Sequence, residues 1–300
     1  MDVLILGGGG QVGTELRALS WPAGVSAHAP SRGDLDIADA GAVAAALGER
    51  PYGAVINTAA YTAVDKAESE AAEAWRLNAL APAILAAETR ARKIPLVHVS
   101  TDYVFDGAKP DGAYEPDEPI DPQSVYGASK AAGELAVRVG NPRHAILRTA
   151  WVVSPHRGNF VKTMLRLSQE RDRLTVVDDQ HGCPTSAADL AAALATVALR
   201  MAGDEAAPTG TFHCVNAGAT TWCGFARAIV AGAARRGGRS VPVDGIPTSA
   251  YPTPARRPAN SRLSTASLTD AYGLTPRSWE AALDDILDRL IGPVAAETSR

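Results

Sequence analysis

The chain is poor in aromatic residues, 5% of 300 positions, and holds only three cysteines. Cys183, Cys214 and Cys223 match no zinc spacing and cannot all pair with one another. Reduced, structural thiols in a cytoplasmic protein are expected. No apolar run is long enough to span a bilayer. The first apolar stretch, Val3 to Leu6, is too short for a secretory signal and runs straight into glycine. Basic residues do not outnumber acidic ones (29 against 33, net charge −4), and both signs are spread along the chain. Neither a nucleic-acid footprint nor a polybasic membrane anchor is expected. Internal repeats are absent as well. The remaining composition, 46% hydrophobic and 21% charged, is ordinary for a globular chain. The length admits one large α/β domain with a smaller lobe, or two domains.

Val3-Leu4-Ile5-Leu6 is a short continuous apolar run, the pattern of a parallel strand covered on both faces. It ends in Gly7-Gly8-Gly9-Gly10, and a helix is expected over 11–19. A second strand is expected near 25–29, and further apolar strands at 54–57, 96–100 and 145–148. Helical periodicity fills the intervals at 40–47, 70–77, 82–92 and 129–139. Strands alternating with helices predict a Rossmann-type doubly wound parallel sheet. After Thr149 the pattern loosens, with helices expected at 160–169, 188–200, 222–232 and 279–290. The proline-rich stretch 242–258 reads as loop, and the tail from Pro293 as frayed. The expected division is a dinucleotide-binding domain over 1–150, to which about 186–216 returns, and a mainly substrate-binding lobe over 151–300.

Gly7, Gly10 and Gly13 are spaced G-x-x-G-x-x-G between a strand and a helix. Glycine there lets the backbone turn and approach a pyrophosphate, while the helix start offers free N–H groups. Gly7, Gly10, Gln11, Val12 and Gly13 are therefore expected to hold a dinucleotide. Ser31 and Arg32 follow the second strand, with Asp36 and Ile37 slightly later. Two readings of Arg32 stand: a partner for a 2′-phosphate, which favours NADPH over NADH, or a solvated loop arginine. Asp36 and Ile37 are expected near the adenine. Asn57-Thr58-Ala59-Ala60 ends the next core strand, and its small residues suit a loop lying against the cofactor. Tyr61, Asn78 and Ser100 are assigned to the same surface.

The stretch from Val97 to Gly107 begins as a buried strand and ends in Ser100-Thr101-Asp102-Tyr103. Open α/β sheets bind ligands at that carboxyl edge. Tyr126 and Lys130 are four apart and share a helix face. A free tyrosine is a poor acid at neutrality. A nearby ammonium is expected to lower its pKa and can also bind the nicotinamide ribose. A hydroxyl from Thr101 is expected to fix the substrate oxygen. A bare Tyr-x-x-x-Lys is weak, since most such pairs are a surface tyrosine over a lysine stem; the glycine loop and the Ser-Thr strand end strengthen it.

In that order the three features resemble the extended short-chain dehydrogenases. Within them, Gly10-Gln11-Val12-Gly13, 62–68, 100–105, 148–151, 159–164, 179–185 and 257–261 resemble the dTDP-4-dehydrorhamnose reductases. The resemblance covers nearly the whole chain. It implies reduction of the C4 ketone of dTDP-4-dehydro-β-L-rhamnose by NADPH or NADH, with Thr101, Tyr126 and Lys130 as catalytic residues. It also implies that Val64, Asp65, Thr101, Asp102, Tyr103, Trp151, Asn159, Gln180, Thr185 and Arg257 meet the nucleotide sugar. For Trp151 a core position, and for Arg257 a solvated one, are the alternatives. Related 4,6-dehydratases carry Asp-Glu after the strand-end threonine; Asp102 is followed here by Tyr103, so no dehydratase activity is expected.

Some members are described as dimers bridged by magnesium. Glu15 fits one ligand position, but Ala188 stands where another is needed, so no metal is expected and a monomer or homodimer stays open. His98, His181 and His213 do not cluster with carboxylates at ligand spacing. Two other functions stand beside the reductase: another sugar-nucleotide 4-ketoreductase or epimerase, and a non-catalytic NADP-binding regulatory subunit.

Overall fold

The computed structural model describes residues 1–294; the rest of the tail expected to fray, 295–300, lies outside the described residues. Six parallel strands form the central sheet. In chain order they begin β1 (Asp2–Leu6), β2 (Ser26–His28), β3 (Tyr52–Asn57), β4 (Leu96–Thr101) and β5 (His144–Thr149), and the sixth is Gly210–His213. Across the sheet the order is Gly210–His213, β5, β4, β3, β1, β2. The direction of winding reverses beside β1, where such folds open a crevice for ligands.

Alternation along the strands separates two cores. Val3, Ile5, Ala54, Ile56, Val97, Ala145 and Leu147 pack on one face against Leu194, Val197 and Ala198 of the Ala187–Gly203 helix. Leu4, Leu6, Val55, Leu96 and Ile146 pack on the other against Val43, Leu85 and Val137. Both faces are covered, which is why these strands are continuously apolar. A third core holds Val161, Leu174, Phe225, Ile229, Val243 and Leu283 in the later half of the chain.

Three elements differ from the sequence reading. The stretches 70–77 and 82–92 are not separate helices. Ala71–Trp75, the π-helical Arg76–Leu80 and Ala81–Ala91 follow without a break. Pro82 has no N–H to give the Asn78 carbonyl, and a π turn absorbs the gap. That carbonyl faces Gly133 instead, where a Cβ would lie 2.1 Å from it. The helix expected from 129 starts at Val125, because the Ser124 hydroxyl accepts from Gly127 N at 3.1 Å and caps it. The loop expected at 242–258 contains the strand Val243–Ile246, paired in parallel with Leu174–Val177. Its Val-Asp-Gly-Ile pattern is too short to announce a strand, and pairing with a distant segment creates it. Among the described residues no helix is long and apolar enough to cross a membrane.

Candidate active site

The glycine loop leads from β1 into helix α1 (Gln11–Ala18). Gly7 adopts φ +82°, and a Cβ there would meet Ala59 N at 2.6 Å. A Cβ on Gly13 would lie 2.2 Å from Gly7 O. No side chain caps the start of α1 at Gly10, so its amides stay open for an anion. This cradle fits a dinucleotide diphosphate. Gln11 turns the other way: its Oε1 accepts from Ser154 Oγ at 2.7 Å and Asn159 Nδ2 at 3.0 Å, tying α1 to the later half of the chain. Val12 packs on the first core.

Farther out, Arg32 meets Glu73 at 3.1 Å with its side chain 76% exposed, and Asp36 pairs with Arg76 at 3.0 Å. Ile37, which follows Asp36, has its side chain buried in the second core. Thr58 Oγ1 donates to Leu6 O at 2.8 Å, holding Ala59 and Ala60 beside the loop. Asn78 is fully buried in the π turn. Its Oδ1 accepts from Tyr61 N at 2.8 Å, and its Nδ2 donates to Tyr61 O and to Ser129 Oγ at 3.0 Å. It therefore pins the Tyr61 loop to the helix that carries Tyr126. The Tyr61 hydroxyl donates to Glu70, which pushes the phenol up to about 12.

Thr101 ends β4, and the 3-10 turn Asp102–Val104 follows. Thr101 Oγ1 accepts from Tyr103 N at 3.2 Å and donates to Asp102 Oδ1 at 3.0 Å. Burial raises Asp102 to about 6, against the hydroxyls of Ser261 and Thr101. Ser100 Oγ is buried without a hydrogen-bond partner among the described residues. The Tyr103 and Tyr126 rings meet edge to face at 5.5 Å. Burial pushes the Tyr126 phenol well above its ordinary value, Thr101 acts against it, and Asp102 and Tyr103 add to it. Lys130 is 2% exposed and donates to Val99 O at 2.7 Å. Burial lowers its pKa to about 8, with Glu134 pulling the other way. The sequence reading has the lysine lowering the tyrosine; here desolvation is the largest influence on the phenol and raises it, and Lys130 is not among the groups that shift it.

Asp65, Tyr103 and Arg257 come together. Arg257 donates to Asp65 Oδ2 at 2.6 Å and to Tyr103 Oη at 2.9 Å, and Val64 opens the short helix bearing Asp65. Trp151 has φ +49° and stacks on Trp222 at 3.6 Å between centroids, half-buried. Its indole also lies where a Gly182 Cβ would be, 2.4 Å away. Three polar residues are spent on structure. Asn159 caps the Phe160–Glu170 helix and donates to Ser154 O at 2.7 Å. Thr185 is 1% exposed and donates to Cys183 O. Gln180 Nε2 donates to Thr248 Oγ1 at 3.0 Å. Glu15 is paired with Arg289 at 2.7 Å and with His156 at 3.1 Å.

Sequence reasoning missed three neighbours of the site. Trp222 doubles the aromatic surface of Trp151. Arg157, at φ +55°, donates from Nε to Gly9 O at 2.8 Å, over the glycine loop. His98 sits behind Lys130. Only His98 carried a signal, a polar residue inside an apolar strand.

The family model described as "RmlD substrate binding domain" matches residues 1–291. A dTDP-4-dehydrorhamnose reductase of Sinorhizobium fredii is 43% identical, covering 93% of this chain and 94% of its own. A solved dTDP-4-dehydrorhamnose reductase of Clostridium acetobutylicum superposes with TM-score 0.88 at 37% identity, over 97% and 99% of the two chains. That of Bacillus anthracis, in complex with NADP, gives 0.89 at 33% identity, over 96% and 99%. With its glycine cradle and the Thr101, Tyr126 and Lys130 arrangement, the chain belongs to the RmlD substrate binding domain family, that of the dTDP-4-dehydrorhamnose reductases.

Proposed function

We propose that this chain reduces the C4 ketone of dTDP-4-dehydro-β-L-rhamnose to dTDP-β-L-rhamnose, with Thr101, Tyr126 and Lys130 as its catalytic residues. One observation carries the assignment: a half-buried Tyr126 lies beside Thr101 at the carboxyl end of β4, with Lys130 one helical turn away. NADPH, or NADH, supplies a hydride to C4 when bound. Tyr126 gives its proton to O4 as that oxygen gains charge. A phenol held high by burial starts in the protonated form that reduction requires. Thr101 holds O4, and Lys130 holds the nicotinamide ribose and steadies the phenolate that remains.

The sheet half, 1–150 with 186–216, holds the dinucleotide, and the half from 151 onward holds the sugar nucleotide. Arg257, Tyr103 and Asp65 supply polar groups, and Trp151 offers an indole face to the 6-methyl group. The three buried thiols and the modest net charge support a cytoplasmic protein, monomeric or dimeric, that acts on a small molecule.

The test is NADPH oxidation with the keto sugar, for the wild type and Tyr126→Phe. Tyr126→Phe is expected to lose roughly 10²- to 10⁴-fold in kcat with the substrate still bound. Cofactor consumed in proportion to product supports a reductase. A cofactor held and never consumed would instead indicate an epimerase, and no turnover of any keto sugar a regulatory subunit.

A further inference from the structure

Asn57, His98 and Lys130 form a buried line behind the active-site edge of the sheet, at 0%, 0% and 2% exposure. Asn57 Nδ2 lies 3.0 Å from His98 Nδ1, and His98 Nε2 lies 3.4 Å from Lys130 Nζ. The fixed point of the line is the backbone amide of Ala59. It can only donate, and it donates to Asn57 Oδ1 at 3.0 Å. A side-chain amide has one accepting end and one donating end. With Oδ1 turned to Ala59, the end that faces His98 is the NH2 group. Flipping the amide would set two donors against each other at Ala59.

A donor facing Nδ1 requires a lone pair there. A neutral imidazole with its lone pair on Nδ1 carries its hydrogen on Nε2. The doubly protonated ring is disfavoured as well, since complete burial of the ring drives the His98 pKa far down. The Nε2–H bond therefore points toward Lys130.

We infer that His98 presents a hydrogen, not a lone pair, to Lys130, and is a positioning residue that favours the uncharged amine until a ligand arrives. The inference rests on the reading of Lys130 as catalytic. An uncharged amine can donate to Val99 O and accept from His98, whereas an ammonium would turn an N–H toward another N–H. Burial acts in the same direction.

Other charged and titratable groups flank Lys130. Its own helix contributes Tyr126, a neutral phenol, and Glu134, whose carboxylate is bound by Arg148 of β5 and by Arg138. The turn after β4 contributes Asp102, next to Thr101. β3 contributes only the neutral Asn57. His98 is thus the group that sets which nitrogen carries the shared hydrogen, and the Ala59 loop reaches the lysine through it.

The first measurement is the protonation pattern of His98 in the full chain labelled with 15N-histidine, assigned by its loss in His98→Phe. Protonated Nε2 with bare Nδ1 is expected; protonated Nδ1 overturns the inference. The second is the titration midpoint of Lys130, read from its ε-carbon resonance and assigned with Lys130→Met. In His98→Phe the midpoint is expected to rise by about one pH unit, the effect of one ordinary hydrogen bond. His98→Gln, which can restore an N–H at that place, should move it less. A midpoint that falls, or stays put while kcat drops, overturns the inference. If His98→Phe fails to fold, the tautomer is assigned through its coupling to Asn57 in the wild type and decides alone. Full activity in Lys130→Met would remove the catalytic reading of the lysine and leave the tautomer measurement standing, so the two failures are distinct.

Discussion

Arg257 Nη2 lies 2.6 Å from Asp65 Oδ2, an ion pair between residues 192 apart in the chain. Both side chains are partly open to water, so the pair contributes about 0–1 kcal/mol to folding. Its weight falls on the cleft, where it also holds the Tyr103 hydroxyl. Arg257→Ala is expected to raise KM for the nucleotide sugar about tenfold, roughly the effect of one lost charged hydrogen bond, while the thermal midpoint barely moves. Steady-state kinetics beside a melting curve checks both; an unchanged KM would take Arg257 out of the substrate site.

Glu134 and Arg148 make the opposite kind of pair. Glu134 is fully buried and accepts from Arg148 Nε at 2.8 Å and Nη2 at 2.7 Å, with Arg138 at 3.0 Å. Arg148 also lies 4.9 Å from the Phe105 ring centre. Removing one partner strands a buried charge. Glu134→Gln is expected to cost about 3–5 kcal/mol in urea unfolding. The double variant Glu134→Leu with Arg148→Met should cost less than the two single changes added together. Strict additivity would show that the groups do not couple.

Asp102 predicts a pH signature in stability. Burial raises its folded pKa from 3.8 to about 6. The folded chain therefore binds a proton that the unfolded chain releases. The resulting stabilisation is fully present below about pH 3.8 and is lost as the pH rises through about 6. Asp102→Asn carries no ionised form. It is expected to be more stable than the wild type at pH 8 by about 1–3 kcal/mol, a difference that closes near pH 4. Denaturant titrations at the two pH values test this, and a difference independent of pH rejects it.

Two glycines are held by close backbone approach. A Cβ on Gly127 would lie 2.2 Å from Tyr103 O, and one on Gly13 equally close to Gly7 O. Gly127→Ala must push the helix bearing Tyr126 away from the Asp102–Val104 turn. We expect at least a tenfold loss of kcat, with about 1–3 kcal/mol of stability. Gly13→Ala should weaken NADPH binding and leave Tyr126 in place, as fluorescence titration of the cofactor would report. Wild-type affinity in Gly13→Ala would mean that the loop relaxes freely.

The sequence by itself determined what depends on near neighbours. Apolar runs of strand length, a glycine turn between strand and helix, and a tyrosine and lysine one turn apart are local patterns. Backbone hydrogen bonding and side-chain periodicity realise them wherever the segment lies. Placement of Thr101 at a strand end followed from the same logic. Tertiary structure decided whatever needs a partner far along the chain. It made a strand of Val243–Ile246, put Ile37 in the core, and spent Asn159, Thr185 and Gln180 on internal hydrogen bonds. It joined the helices around Asn78 and stacked Trp151 on Trp222. Most consequentially, it aligned Ala59, Asn57, His98 and Lys130 across three elements. The physical reason is that a polar side chain takes its partner from whatever packing delivers within hydrogen-bond reach, and burial then sets the cost of leaving it unpaired.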